Sequence, residues 1–353
     1  EDAGVRSRTV EINRDGKKHV FGVIEIPSFY FDYRSRRAGA EYRSVSEDTA
    51  KALSALKAKK VEGVLIDLRN DPGGSLEEVA RMLGQVIKSG PVVQIRDGNG
   101  NVSVFDDTDG GAQIYAGPIA VLVNLASASA SEIYSAAIQD YERGIIIGST
   151  TTGKGTAQVQ LDTLAHGQAT LTQRKFYRIT GGSTQNKGVI PDIKLVDIYN
   201  EEFGERKAKN ALKWDTIPTA PFKREGSVQP YVDKLSQWSA QRVAADSQFK
   251  YLQARTAINQ KNADQKRVVL DIDQRRAELI DLEKQTLAVE NQRRAATSQV
   301  PYANWESYQA SIDALIESRA KMKAHLRPAL PEEETFITEA ANVLLDYAKL
   351  QAR

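Results

Sequence analysis

The distribution of glycine is the feature of this sequence that most constrains its fold. Residues 1–198 contain 22 of the 24 glycines, whereas residues 199–353 contain only Gly204 and Gly226. Glycine permits tight turns and close backbone approaches, and it is unfavourable inside helices. We therefore predict a turn-rich first domain over residues 1–198 and a helical second domain over residues 199–353, joined by a linker or strap at about residues 205–228.

The hydrophobic pattern of the first domain predicts an α/β fold. Short apolar runs that favour strands are residues 20–27, 61–68, 91–96, 118–124 and 144–148. Helical patterns separate several of them, at residues 46–60, 76–88 and 129–141. Strands that alternate with such helices predict βαβ units, and continuously apolar strands predict a sheet covered on both faces. Turn signals at residues 97–101 and 165–167 add antiparallel hairpins at the edges.

The second domain contains long charged stretches that favour helix. These are residues 230–257 and 259–294, followed by a final amphipathic helix over residues 335–351. An imperfect apolar stripe predicts that the middle stretch packs on a neighbour and turns a charged face to solvent. The stripe consists of Val268, Leu270, Ile272, Leu279, Leu282, Leu287 and Val289.

The composition excludes several classes of function. The net charge is only +2, which gives no electrostatic argument for binding nucleic acid or an acidic membrane surface. The absence of Cys excludes disulfides, thiolate chemistry and cysteine-based metal sites. No apolar run is long enough for a transmembrane helix, which needs about 20 residues. Because the sequence starts at Glu1 without an apolar leader, we expect a removed leader or a piece of a longer protein.

The segment Ser127-Ala-Ser-Ala-Ser-Glu132 lies where a predicted strand meets a predicted helix. Ser129 and Glu132 fit a capping box, so a purely structural interpretation is available. The alternative is a nucleophile, because the dipole and free N–H groups of a helix N-terminus stabilise developing negative charge. Spacing alone does not choose among Ser127, Ser129 and Ser131.

A nucleophilic serine needs a base, and the histidines are few. His19, His166 and His325 are the only ones, and none lies in a motif. Lys154, which lies between two glycines, is the better candidate. A free lysine has a pKa of about 10.4, so a lysine base must be desolvated to be neutral near pH 7. An exposed loop lysine is the alternative; a phosphate-binding loop is rejected because Gly155 follows the lysine where Ser or Thr is required.

The segment from Asn70 to Gly74 follows a predicted buried strand and contains two adjacent glycines. Glycines there let backbone N–H groups approach a ligand closely, as an oxyanion hole requires. An ordinary turn between a strand and a helix is the alternative.

Six segments occur in an order that identifies a family. They are GVIEIPSF (22–29), GVLIDLRNDPGG (63–74), SASASE (127–132), QDYERG (139–144), GKGTAQ (153–158) and KGVIPDI (187–193). Together they resemble the C-terminal processing peptidases, also called tail-specific proteases, which are serine endopeptidases with a Ser-Lys dyad. Residues 210–215 and 344–350 are similar to the helical C-terminal domain of the long periplasmic members. The resemblance implies a crotonase/ClpP-like layered βαβ core with antiparallel edge hairpins, plus an α-helical C-terminal domain.

The resemblance also implies roles for individual residues. Ser129 corresponds to the nucleophile and Lys154 to the base, and Gln158 corresponds to a residue that orients the lysine. Strand alternation would place Gln158 on the side of Lys154. The oxyanion donors would be the backbone N–H groups of Ala130 and of Gly73 or Gly74.

Asp140 corresponds to a position that is counted with the catalytic set in long members. Eleven helical residues separate it from Ser129, which is about 16 Å along a helix. We therefore expect Asp140 to have a structural role at the end of that helix.

The activity that the resemblance implies is cleavage of unstructured C-terminal regions of periplasmic proteins, without metal or cofactor. Its partners would be protein or peptide substrates and an adaptor protein, with no nucleic acid and at most peripheral membrane contact. Family members carry a PDZ domain before the segment at residues 22–29, and this sequence begins where that domain should end. Substrate-tail recognition is therefore expected outside this chain. The alternatives are a crotonase-like acyl-CoA enzyme and a catalytically inactive fragment that binds a partner through its helices.

Overall fold

The computed structural model describes residues 4–106, 113–161, 166–199, 204–323, 327 and 330–351. The strands are β1 (Arg6–Arg14), β2 (Lys17–Glu25), β3 (Val64–Asp67), β4 (Pro91–Asp97), β5 (Val102–Asp106), β6 (Ile119–Val123), β7 (Ile145–Gly148), β8 (Thr156–Leu161), β9 (Ala169–Tyr177) and β10 (Ile193–Lys194). The helices are α1 (Tyr33–Arg37), α2 (Val45–Ala58), α3 (Leu76–Gly84), α4 (Ala130–Asp140), α5 (Gln229–Ala245), α6 (Ser247–Ala263), α7 (Ile272–Ala296), α8 (Trp305–Lys321) and α9 (Pro331–Gln351). Among the described residues, no helix is long and apolar enough to cross a bilayer.

The larger sheet has six strands in the order β1-β2-β3-β6-β7-β10. Within this sheet, the neighbours β2–β3, β3–β6, β6–β7 and β7–β10 pair in parallel. Every residue of β3, β6 and β7 is buried. Buried parallel strands joined by helices confirm the predicted α/β class and the sheet covered on both faces. Residues 1–19 lack a clear pattern in the sequence, yet β1 pairs along its whole length with β2 at the edge of this sheet.

The two faces of the larger sheet are covered by different parts of the chain. Helices α2, α3 and α4 pack on one face, where they form a core with side chains such as Ile66 and Val121. The opposite face, which includes Leu65 and Leu122, packs against α5, α6 and α9 from the C-terminal half. The helical region therefore completes the core of the sheet, and the domain boundary near residue 198 stays a prediction.

The N-terminal part of α9 also contacts the end of β3. Arg69 forms an ion pair with Asp67, and its guanidinium lies over the Phe336 ring at 5.4 Å from the ring centroid. Arg69 Nη1 donates to the carbonyl oxygen of Glu333 at 3.3 Å. This contact joins residues that are 264 positions apart in the sequence.

The smaller sheet is antiparallel and has the order β5-β4-β9-β8. It confirms the two predicted edge hairpins, β4–β5 and β8–β9. The predicted turn at residues 165–167 lies partly outside the described residues. The β8–β9 register shifts between Ala157 and Gln158, so the regular alternation of β8 is interrupted next to the segment of Lys154.

The predicted long helices are interrupted at two places. Asp246 and Asp271 accept bonds from the first backbone N–H groups of α6 and α7, so each acts as an N-cap that starts a new helix. Val268 and Leu270 fall in the nonhelical segment between α6 and α7 and are 58% and 95% exposed. The prediction that the apolar stripe packs on a neighbour is therefore wrong at these positions, and it is also wrong at Ile272 and Leu279, which are 61% and 55% exposed.

Candidate active site

Ser129 lies at a sharp turn between β6 and α4. It immediately precedes the first residue of α4, and its backbone angles are φ 56° and ψ −111°. Positive φ is uncommon for a residue other than glycine and persists only where the surroundings hold it in place. The turn leaves Ser129 half-buried beside a helix N-terminus.

The other two serines of the motif hold the backbone. Ser127 is fully buried, and its Oγ donates to the carbonyl oxygen of Leu68 at 2.7 Å. Ser131 is also fully buried, and its Oγ donates to the carbonyl oxygen of Asp71 at 3.0 Å. Both bonds tie the serine motif to the loop that follows β3. Of the three serines, Ser129 alone is accessible, which favours it as the nucleophile.

The loop formed by residues 70–74, here called the glycine loop, lies directly against Ser129. A Cβ atom on Gly73 would stand 2.9 Å from Ser129 Cβ and 2.9 Å from the backbone nitrogen of Ala130, and Gly73 has a φ of 102°. Gly74 has a φ of 150°, and a Cβ there would stand 2.2 Å from the carbonyl oxygen of Phe29. Neither position accommodates a larger residue. As the first residue of α4, Ala130 also has an N–H without an acceptor in its own helix.

Asp71 engages one of the expected oxyanion donors. The Gly73 N–H donates to Asp71 Oδ1 at 2.7 Å, while Asp71 Oδ2 is buried without a partner among the described residues. Burial raises the pKa of Asp71 to about 7, and the bond from the Gly73 N–H counteracts part of that rise. The Gly73 N–H can serve an oxyanion only after this bond breaks, so Gly74 and Ala130 are the better-placed donors.

Two asparagines join the glycine loop to the serine motif. The backbone N–H of Asn70 donates to Asn124 Oδ1 at 3.0 Å, and Asn124 Nδ2 donates back to Asn70 Oδ1 at 2.8 Å. The hydroxyl of Tyr199 donates to the same Asn70 oxygen at 2.6 Å. Asn124 and Tyr199 were not singled out from the sequence, since their contacts arise only when distant segments meet.

Glu132 connects the nucleophile segment to the lysine segment. Its side chain is fully buried, and Oε2 accepts bonds of 2.9 Å from the backbone N–H groups of both Ser129 and Lys154. The two nitrogens are therefore separated by no more than twice that distance. Oε1 accepts from the Thr151 hydroxyl at 2.5 Å and from the Gly153 N–H at 2.7 Å.

From the sequence, Glu132 is expected only to form half of a capping box with Ser129. Burial raises the pKa of this carboxyl, and its four hydrogen bonds offset part of the rise. One feature of the sequence does point to a larger role for Glu132: its carboxylate stands among small and apolar residues. These residues form α4, which is almost wholly buried. A buried carboxylate needs several donors, so this pattern indicates a structural or catalytic centre rather than a simple cap.

Lys154 is half-buried and lies on a loop that immediately precedes β8. In the part of the chain that the structure describes, no carboxylate lies within 4.0 Å of its ammonium nitrogen. The structure therefore brings the backbones of Ser129 and Lys154 together and leaves the lysine side chain without an ion pair there. Among the described residues, no hydrogen bond joins the Ser129 hydroxyl to the Lys154 ammonium, so the pairing of these side chains as nucleophile and base stays a prediction.

Gln158 lies beyond the interruption in β8. It is exposed, and its Nε2 donates to the Thr172 hydroxyl at 3.5 Å. The unbroken strand alternation expected from Lys154 to Gln158 is wrong, because β8 starts at Thr156 and its register shifts at Ala157. A role for Gln158 in orienting the lysine stays a prediction.

Asp140 is the last residue of α4, at the end opposite to Ser129. Its carboxylate forms an ion pair of 2.5 Å with Arg178 and also accepts bonds from the Thr180 hydroxyl. These contacts tie the end of the helix to the segment after β9. A structural rather than catalytic role for Asp140 stays a prediction.

The chain matches two known protein families. Residues 20–195 match the family described as Peptidase family S41. Residues 198–349 match the C-terminal domain of tail specific protease. The chain belongs to peptidase family S41. It is a serine-type member and carries the C-terminal domain of the tail-specific proteases.

Individual relatives of this S41 chain are bacterial proteases. The Tail-specific protease of Haemophilus influenzae (strain ATCC 51907 / DSM 11121 / KW20 / Rd) is 40% identical over 269 residues, covering 72% of this chain and 37% of that protein. The Carboxy-terminal processing protease CtpB of Bacillus subtilis (strain 168) is 34% identical, covering 48% of this chain and 35% of that protein. The chain thus spans little more than a third of the length of either relative.

A solved structure, the photosystem II D1 C-terminal processing protease, is also similar to this chain. The sequence identity is 27% and the TM-score is 0.45, covering 54% of this chain and 48% of that one.

Proposed function

We propose that Ser129 and Lys154 are the nucleophile and base of a serine endopeptidase. The observation that carries the proposal is the shared Glu132 oxygen, which accepts bonds of 2.9 Å from the backbone N–H groups of both residues. A nucleophile and its base must be held in a fixed relation, and a single buried anchor atom supplies one.

In the proposed reaction, Lys154 Nζ takes the proton of the Ser129 hydroxyl as Oγ bonds to the scissile carbonyl carbon. The backbone N–H groups of Gly74 and Ala130 donate to the resulting oxyanion. The C–N bond then breaks, and the amine leaves with the proton that Lys154 carried. Water, deprotonated by Lys154, cleaves the acyl-enzyme ester and restores Ser129.

The substrates proposed for the whole protein are unstructured C-terminal regions of periplasmic proteins, with an adaptor protein assisting their delivery. The support is the match of residues 198–349 to the C-terminal domain of tail specific protease and the similarity to the Haemophilus protein of that name. The proposal needs no metal or cofactor, because the amide groups and Lys154 supply the charge stabilisation and proton transfer.

The test is the rate at which a fluorophosphonate probe labels the chain, with the modified residue located by mass spectrometry. We expect labelling at Ser129 in the native chain and its loss in Ser129→Ala and Lys154→Ala. Ser103→Ala and Lys51→Ala change exposed residues away from the site and serve as matched controls. Labelling elsewhere, or full labelling of Ser129 in Lys154→Ala, would contradict the proposed dyad.

A further inference from the structure

The loop that carries Lys154 is held almost entirely through its backbone. Glu132 accepts from the N–H groups of Gly153 and Lys154, and Gln185 Oε1 accepts from the N–H of Gly155 at 2.8 Å. Three consecutive amide groups therefore donate to two buried side chains. Gly153 has a φ of 87°, and the carbonyl oxygens of Gly153 and Gly155 also accept bonds of 2.8 and 2.7 Å from the backbone N–H groups of Asn186 and Phe176.

Gln185 is fully buried, and both ends of its amide are used. While Oε1 receives the Gly155 N–H, Nε2 donates to Glu205 Oε1 at 3.1 Å. The backbone N–H of Gln185 donates to the Ser183 hydroxyl at 3.1 Å, which fixes the side chain's point of attachment. These partners fix the orientation of the Gln185 amide: its oxygen must face the Gly155 N–H, and its nitrogen must face the Glu205 carboxylate.

The turn formed by residues 204–207 also binds the segment that leads into the Lys154 loop. The backbone N–H of Glu205 donates to the carbonyl oxygen of Thr152 at 3.0 Å. The guanidinium of Arg206 donates to the carbonyl oxygen of Thr151 at 3.2 Å. This 204–207 turn lies within the segment that matches the C-terminal domain of tail specific protease.

We infer that Gln185 is a positioning residue for Lys154 and that the 204–207 turn holds it in place through Glu205. The C-terminal region thereby contributes to the geometry of the catalytic lysine. The inference rests on the proposed role of Lys154 as base. Gln185 touches neither substrate nor reacting atoms; it acts by fixing the peptide group that follows the lysine.

The first test compares the pH dependence of fluorophosphonate labelling of Ser129 in the native chain, Gln185→Ala and Lys207→Ala. Lys207 lies in the same turn with an exposed side chain, so its variant is the control. Displacing a reacting group by about 1 Å costs roughly 100-fold in rate. We expect Gln185→Ala to label about 10- to 100-fold more slowly and to show a displaced midpoint in its pH–rate profile. If Gln185→Ala only destabilised the fold, the folded fraction of the chain would fall and the midpoint of the pH–rate profile would stay unchanged.

The second test exchanges the two hydrogen-bonding groups. Gln185→Glu keeps an acceptor for the Gly155 N–H but places a carboxylate against Glu205. Adding Glu205→Gln restores the hydrogen bond between positions 185 and 205. In the double variant the side chain at position 205 donates and the side chain at position 185 accepts, the reverse of the native bond. We expect Gln185→Glu to label slowly, Glu205→Gln alone to label at nearly the native rate, and the double variant to recover most of the loss, a coupling that a double-mutant cycle measures.

The outcomes separate this inference from the proposed function. If the native chain is not labelled at Ser129, the proposed function fails. If Ser129 is labelled and Lys154→Ala abolishes labelling, but Gln185→Ala and Gln185→Glu behave like Lys207→Ala, the inference is overturned while the dyad stands. Should Gln185→Ala fail to fold, the exchange pair decides: no recovery in the double variant overturns the inference.

Discussion

At the scale of single residues, this site is distinguished by what its buried side chains bind. The motif spacing identified Ser129 only through a family resemblance, and the structure gives the physical reason. Ser127 and Ser131 are fully buried and bound to backbone carbonyls, whereas Ser129 is not enclosed. Most side-chain partners of Glu132 and Gln185 lie 19 to 30 residues away, so the sequence alone shows only the capping bond between Glu132 and Ser129.

Asp71 provides a prediction about pH and stability. Burial raises its pKa from an ordinary value of 3.8 to about 7, so the folded state favours the protonated carboxyl. The native chain should lose up to roughly 4 kcal/mol of stability as pH rises from about 4 to 7, and no more from this group above 7. Asp71→Asn keeps an acceptor for Gly73 and cannot ionise.

We therefore expect Asp71→Asn to match the native chain near pH 4 and to exceed it increasingly up to pH 7, as measured by urea unfolding. Asp233→Asn, which changes an exposed residue of α5, is the control. An advantage of Asp71→Asn that does not vary with pH would contradict the assignment.

Glu132 provides a second prediction at this scale. Glu132→Gln has nearly the same shape but replaces one acceptor oxygen with an amide donor. At least one of the N–H groups of Gly153, Lys154 and Ser129 then faces a donor, which costs about 1–3 kcal/mol for each unsatisfied group. We expect a lower urea midpoint and much slower labelling of Ser129. Labelling at the native rate would show that the shared anchor is dispensable.

At the scale of elements, the strands and most helices could be predicted, and the exceptions have identifiable causes. The apolar runs at residues 61–68 and 144–148 became β3 and β7 because buried parallel strands carry an unmistakable pattern. The edge strand β1 is half-exposed and therefore lacks such a pattern. The breaks before α6 and α7 follow from aspartate caps, which composition alone does not reveal.

A matched pair of leucines tests the interrupted helical region. Leu252 of α6 is 4% exposed, whereas Leu270, between α6 and α7, is 95% exposed. We expect Leu252→Ala to cost about 2–5 kcal/mol and Leu270→Ala to lie within about 0.5 kcal/mol of the native chain in urea unfolding. Equal effects of the two substitutions would mean that the 264–271 segment is packed in solution.

At the scale of the whole molecule, the glycine distribution divides the sequence more sharply than the fold divides the chain. Helices from the C-terminal half cover one face of the larger sheet, and Arg69 reaches from the end of β3 to Glu333. Sequence patterns predict which segments are helical, but they do not predict which sheet face a distant helix covers.

This shared core predicts cooperative unfolding. All three tryptophans, Trp214, Trp238 and Trp305, lie in the helical half, so their fluorescence reports on that half, while far-UV circular dichroism reports on the whole chain. We expect the two urea transitions to coincide, and Leu344→Ala, which removes a fully buried side chain of α9, to shift both equally. Separate transitions would show that the two halves fold independently.

The contact between Arg69 and α9 has a consequence for the order of events during synthesis. The strand that leads into the glycine loop leaves the ribosome long before its covering helix, with 264 residues between the two ends of the contact. At about 5–20 residues per second, that interval lasts roughly 13 to 53 seconds. Throughout it, the part of this sheet face that α9 covers stays exposed. The end of β3, which leads into the glycine loop, therefore gains its contact with α9 only late in synthesis.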